Sequence, residues 1–104
     1  MKKVNPFYRT AKWQKKRELT LRRYNYLSAE AKQFGRHEPA EMIHHIYPLS
    51  EYPELALVDW NLLPLTNKEH NGFHDRKTDK IIGRGLYWQQ KRRKEFEKFF
   101  DRPP

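Results

Sequence analysis

The stretch "EMIHHIYPL", Glu41–Leu49, sets two adjacent histidines in a short apolar run. Ile43 and Ile46 are β-branched and Pro48 ends the run, so Met42–Ile46 is expected as a strand. Neighbouring residues on a strand point to opposite faces, so His44 and His45 cannot do the same job. One is placed to ligate or pack and the other to face a substrate.

The continuation "WNLLPLTNKEHNGFHDRK", Trp60–Lys77, supplies the partners. Leu62–Leu65 reads as a second short strand, with Pro64 limiting its ladder bonds. Thr66 or Asn67 is expected to cap a helix running through about Arg76 or Lys77. On that helix His70 and His74 are four apart, which puts both imidazoles on one face, about one turn from each other, where they can chelate one metal ion. With one histidine of the 44–45 pair they make three imidazoles with open coordination positions, a Lewis acid site suited to phosphate oxygens. The remaining neutral histidine can deprotonate an attacking water. Asn61, just before the second strand, can hydrogen-bond backbone across the intervening loop and hold the histidine strand in place.

Outward from this centre the pattern is mainly helical. Residues 1–9 look extended, with Pro6 opposing an early helix. Thr10 caps a helix to about Tyr24 whose apolar positions, Trp13, Leu19 and Leu21, are sparse among Lys and Arg. Residues 24–36 read as a turn or short helix closed by Gly35, and residues 50–61 as a loop. Gly83 and Gly85 mark a break before one terminal helix, Leu86–Phe100, apolar at Leu86, Trp88, Phe96, Phe99 and Phe100. The expected fold is α+β, one small domain over 1–104, with basic helical flanks at 10–24 and 86–100. Trp13, Tyr26, Leu27, Leu62, Leu65 and Phe73 are its expected core. His37 reads as a surface residue and Trp60 as a packing residue.

The formal net charge is +9, and it is unevenly placed. Residues 1–36 hold eleven Lys/Arg against two acids, residues 37–66 no Lys/Arg and five acids, and residues 67–104 eleven against six. Two basic flanks around a histidine-bearing centre suit a polyanion gripped on both sides of a reactive middle. Lys15, Lys16, Arg17, Arg22 and Arg23 on the first helix, and Arg76 and Lys77 after the second histidine pair, are the candidate phosphate contacts. Basic charge also serves plain solubility, and solvated faces account for many such residues. The chain has no cysteine, which excludes disulfides and thiolate zinc sites. No stretch is apolar enough to cross a membrane and no export signal is legible, so an intracellular, cytoplasmic location is expected.

The ordered elements "EMIHHIYPL", "NLLPL" and "EHN", with their spacing, resemble the HNH endonuclease family; the lead-in "FYRTAKWQKKRELTLRRYNYL" looks like that of its small phage and mobile-element members. The resemblance covers most of residues 7–80. It implies a ββα-metal core at about 41–77, a hairpin packed on one helix around a single divalent cation. It implies His45 as general base, His44 as a metal ligand where many relatives have Asp, His70 as the second ligand, His74 as an additional one, and Asn61 as the residue that constrains the catalytic loop. The implied activity is metal-dependent hydrolysis of DNA phosphodiesters, leaving 5′-phosphate and 3′-hydroxyl ends. Mn²⁺, Co²⁺, Ni²⁺, Zn²⁺ and Mg²⁺ are the candidate ions. Small members occur in phage genomes near packaging genes, so a phage origin and terminase or packaging proteins as partners are also implied. The alternative is a non-catalytic DNA-binding or packaging accessory protein with the same fold; an RNA-binding reading has no recognition motif behind it. Many relatives carry two C-x-x-C pairs that form a zinc ribbon. The matching positions here are Ser28 and Ala31, then Thr66 and Glu69, so no structural zinc is expected.

Overall fold

A computed structural model of the chain describes residues 5–101. Residues 1–4, which begin the stretch expected to be extended, lie outside them. The rest of that stretch is not extended: Pro6–Arg9 form a 3-10 turn, because the Asn5 side chain accepts a hydrogen bond from the Phe7 amide and proline suits the first helical position. Helix α1, Ala11–Arg23, follows as expected, with the Thr10 hydroxyl accepting from the Trp13 amide. A short helix α2, Ala29–Gln33, is capped in the same way by Ser28. Strands β1, Met42–His45, and β2, Leu62–Leu65, pair antiparallel, with Ile43 opposite Pro64 and His44 opposite Leu63.

The two faces of this hairpin divide the core. Leu63 and Leu65 pack with Ile46, Ala29, Phe73 and Trp88, with Met42 against them. Ile43 and Leu62 pack on the other side with Trp13 and Leu21 of α1. Of the expected core, Trp13, Leu62, Leu65 and Phe73 are buried and Leu27 is half-buried. Tyr26 is 47% exposed, because it lies in the left-handed region (φ 60°) where the chain leaves α1. Its amide donates back to the Leu21 carbonyl and its hydroxyl to Glu18, so the ring is turned outward.

Three other features depart from the expectation. Helix α3 is Asn67–Gly72 and stops before His74, so Arg76 and Lys77 sit in an exposed turn. His74 instead bridges to Ile81 in a short antiparallel contact. The terminal helix is two helices, α4, Arg84–Lys91, and α5, Arg93–Phe100, broken at Arg92. On a straight helix Trp88 and Phe96 would lie about 80° apart in azimuth. The break lets Trp88 enter the core while Phe96 stacks on Tyr47 with ring centroids 4.2 Å apart. Gly85 allows α4 to lie against Phe73: a Cβ there would meet the Phe73 carbonyl oxygen at 2.9 Å. Glu30, buried on α2, accepts two bonds of 2.9 Å from the Arg84 guanidinium and one of 3.1 Å from Trp88 Nε1, so a satisfied buried carboxylate joins α2 to α4.

Ser28, Ala31, Thr66 and Glu69 converge through hydrogen bonds. The Ser28 hydroxyl donates to Glu69 Oε1 at 2.6 Å while accepting from the Ala31 amide. Glu69 Oε1 also accepts from the Thr66 amide, and the Thr66 hydroxyl accepts from the Glu69 amide, a reciprocal cap of α3. One carboxylate thus ties the first turn of α2 to the first turn of α3. Among the described residues no helix is long and apolar enough to cross a membrane.

Candidate metal centre

Strand alternation separates the adjacent histidines. His44 points to the α3 side, where its ring centroid lies 5.2 Å from that of His70, 5.3 Å from His74 and 5.4 Å from Phe73. The His70 and His74 rings are 4.6 Å apart. They meet by a different route from the one-helix face expected from the sequence. They share no helix: α3 carries His70, and the bridge to Ile81 brings His74 back beside it.

One nitrogen from each of His44, His70 and His74 lies within 4.8 Å of the others, a group that can hold a metal ion. Nε2 of His44 and Nε2 of His74 are buried with no hydrogen-bond partner. Buried polar atoms are rarely left orphaned, and imidazole nitrogens pointing at one another are what an ion would satisfy. His74 Nδ1 lies 3.2 Å from the Asp79 carbonyl oxygen, which can only accept. Nδ1 therefore carries the proton and Nε2 keeps its lone pair for a ligand. That carbonyl is presented by a turn in which Asp75 Oδ1 accepts from the Lys77 and Thr78 amides, with Asp79 in the left-handed region. Sequence reasoning missed Asp75 and Asp79; the D-x-x-x-D spacing in a Lys/Thr turn was the available signal.

All three imidazoles need to be neutral to ligate. Burial first, then the neighbouring imidazoles of His70, His74 and His45, pushes His44 well below the usual histidine range. His70 is lowered to about 4, by burial and then by His74, with Asp79 opposing.

His45 faces α1. Its ring stacks on Trp13 with centroids 5.1 Å apart and is only 5% exposed. Burial lowers its pKa, against an opposing hydrogen bond to Ala56. Nε2 lies 3.0 Å from the Ala56 carbonyl oxygen, so Nε2 is the donor and Nδ1 holds the lone pair. Ala56 owes its place to Asn61, which is wholly buried. Asn61 Oδ1 accepts from the Tyr47 amide at 2.7 Å, and Nδ2 donates to the Tyr47 and Leu55 carbonyls at 3.1 and 3.2 Å. The side chain thus pins both ends of the inter-strand loop. Helix α4 adds a clamp: Tyr47 donates to the Gln89 carbonyl and Gln89 to that of Ile46.

The histidine triad and His45 line one cleft of about 740 Å³, together with Asn5, Tyr8, Arg17 and Asp79. Of the basic residues expected to meet phosphate, Arg17 lines this cleft and Lys15, Arg76 and Lys77 are exposed. Arg22 lies 3.9 Å from Glu18. Lys16 and Arg23 both pair with Asp59 and so also fasten α1 to the turn that carries Asn61.

No family model and no curated protein matches the sequence. Among solved structures, the chain is similar to the HNH endonuclease of the deep-sea thermophilic bacteriophage GVE2, solved with manganese ion. The TM-score is 0.62 and the identity 29%, over 64% of this chain and 72% of that one. With its antiparallel strand pair, the helix packed on it and three histidines gathered between them, this chain has an HNH-like fold.

Proposed function

We propose that the protein is a metal-dependent DNA endonuclease in which His44, His70 and His74 hold one divalent ion, His45 is the general base and Asn61 holds the loop that orients it. The observation that carries this reading is the pair of buried, unpartnered Nε2 atoms on His44 and His74, in the same cleft as a histidine whose Nδ1 carries the lone pair. The likeness to a phage HNH endonuclease solved with manganese supports it. An ion held by His44, His70 and His74 would supply Lewis-acid stabilisation of charge on the attacked phosphate.

The protein's own groups do the rest. Ala56 fixes the His45 tautomer, and Nδ1 takes a proton from water as the water oxygen attacks phosphorus in line. The P–O3′ bond breaks and the departing O3′ takes a proton from a solvent water, leaving 5′-phosphate and 3′-hydroxyl ends. Arg17 in the cleft, with Lys15, Lys16, Arg22, Arg23, Arg76 and Lys77, binds the backbone by displacing condensed counterions. An all-imidazole donor set favours Mn²⁺, Co²⁺, Ni²⁺ or Zn²⁺ over Mg²⁺, which prefers oxygen.

The test is nicking of supercoiled plasmid by wild type and His45→Ala across a panel of these ions, beside calorimetric metal titration. Cleavage is expected in wild type only, with metal affinity retained in the variant. Full cleavage by His45→Ala, or no cleavage by wild type with any ion, would overturn the reading.

A further inference from the structure

The nitrogen left with a lone pair on His45 does not face open solvent. Nδ1 lies 3.4 Å from the hydroxyl of Tyr8. That is long for a direct hydrogen bond from a hydroxyl, whose usual span is about 2.5–3.0 Å. The tyrosine is also well fixed. Its carbonyl accepts from Gln14 Nε2 at 2.8 Å and its amide donates to the Asn5 carbonyl at 3.0 Å. Its ring meets Phe7 and Trp13 edge-on, at 5.8 and 5.5 Å between centroids. The 3-10 turn that carries it is closed at both ends, by Asn5 onto the Phe7 amide and by the Thr10 hydroxyl onto the Phe7 carbonyl. Burial raises the Tyr8 pKa, so the hydroxyl keeps its proton. Tyr8 and His45 both line the cleft that holds the histidine triad.

We propose that Tyr8 is a positioning residue: its hydroxyl and His45 Nδ1 together hold the attacking water, the phenol fixing the water's orientation while the imidazole receives its proton. This rests on the reading of His45 as general base. A water needs at least two polar partners to be held in one orientation, and these two groups converge on one side of the cleft. The Trp13 ring stacked on His45, itself edge-on to Tyr8, restrains the imidazole from turning away.

The test compares Tyr8→Phe, Tyr8→Ala and His45→Ala in steady-state plasmid nicking. It also uses nitrogen NMR of the His45 ring in metal-free wild type and Tyr8→Phe. Removing one hydrogen bond made to the attacking water should lower kcat about tenfold in Tyr8→Phe, with KM unchanged. The His45 Nδ1 resonance should move while Nε2, held by Ala56, stays in place. A Tyr8→Phe kcat equal to wild type, with only Tyr8→Ala impaired, would reduce Tyr8 to packing and overturn the proposal. So would a higher kcat, which would mean the hydroxyl blocks Nδ1, a change in KM alone, or an unmoved Nδ1 resonance. Full activity in His45→Ala would instead sink the general-base reading on which the proposal stands.

Discussion

Asn61→Ala is the perturbation in which structure and proposed chemistry are most tightly joined. The side chain is wholly buried and makes three hydrogen bonds, to the Tyr47 amide, the Tyr47 carbonyl and the Leu55 carbonyl. Alanine strands all three partners. At about 1 kcal/mol for each net hydrogen bond, plus a share of the desolvation cost of groups left unpaired, the loss is about 3–4 kcal/mol. For a domain of this size that corresponds to a fall in Tm of roughly 15–20 °C. The residue after Leu55 is Ala56, whose carbonyl holds His45 Nε2. Loosening the loop therefore frees the imidazole tautomer as well, and kcat should fall further than the folded fraction explains. The assay is urea unfolding of metal-free protein, with nicking rates measured well below the variant's Tm and corrected for folded fraction. Asn61→Asp serves as a companion, because it keeps the acceptor for the Tyr47 amide and loses both donors. A loss under about 1 kcal/mol, with kcat per folded molecule unchanged, would refute the claim that Asn61 holds the loop and, through it, the base.

Two further outcomes follow from the same contacts. His44, His45 and His70 all have lowered pKa values, chiefly through burial. The unfolded chain therefore takes up protons near pH 6.5 while the fold resists them, and stability present above that pH is lost as it falls toward about 4. Chelator-treated protein should lose about 2 kcal/mol between pH 6.5 and 5, a figure discounted for the part-exposed His70 ring; a flat unfolding midpoint over that window would contradict the burial of His44, His45 and His70. Ser28→Ala removes both the cap of α2 and the 2.6 Å bond to Glu69. It should cost about 2–3 kcal/mol in urea unfolding, and a cost near zero would show that this carboxylate does not tie α2 to α3.

The sequence alone determined the hairpin and its divided histidines. Strand periodicity requires His44 and His45 to face apart, and the rings lie with His70 and His74 on one side and Trp13 on the other. Caps were legible at Thr10 and, as one of two candidates with Asn67, at Thr66, because a side-chain acceptor for an orphan amide is a local matter. Tertiary structure decided whatever depends on a distant partner. The helix after Thr66 ends at Gly72 because the next residues pair with 81–82 and bury Phe73, which no local propensity encodes. The terminal helix breaks because Trp88 and Phe96 are claimed by different neighbours. The buried Glu30–Arg84 pair, 54 residues apart in sequence, and the Ser28–Glu69 link, 41 apart, likewise exist only once the helices meet. Tyr8 belongs to the same class. In the sequence it is one aromatic among basic residues, and its hydroxyl finds His45 only because the turn before α1 folds back over the strand.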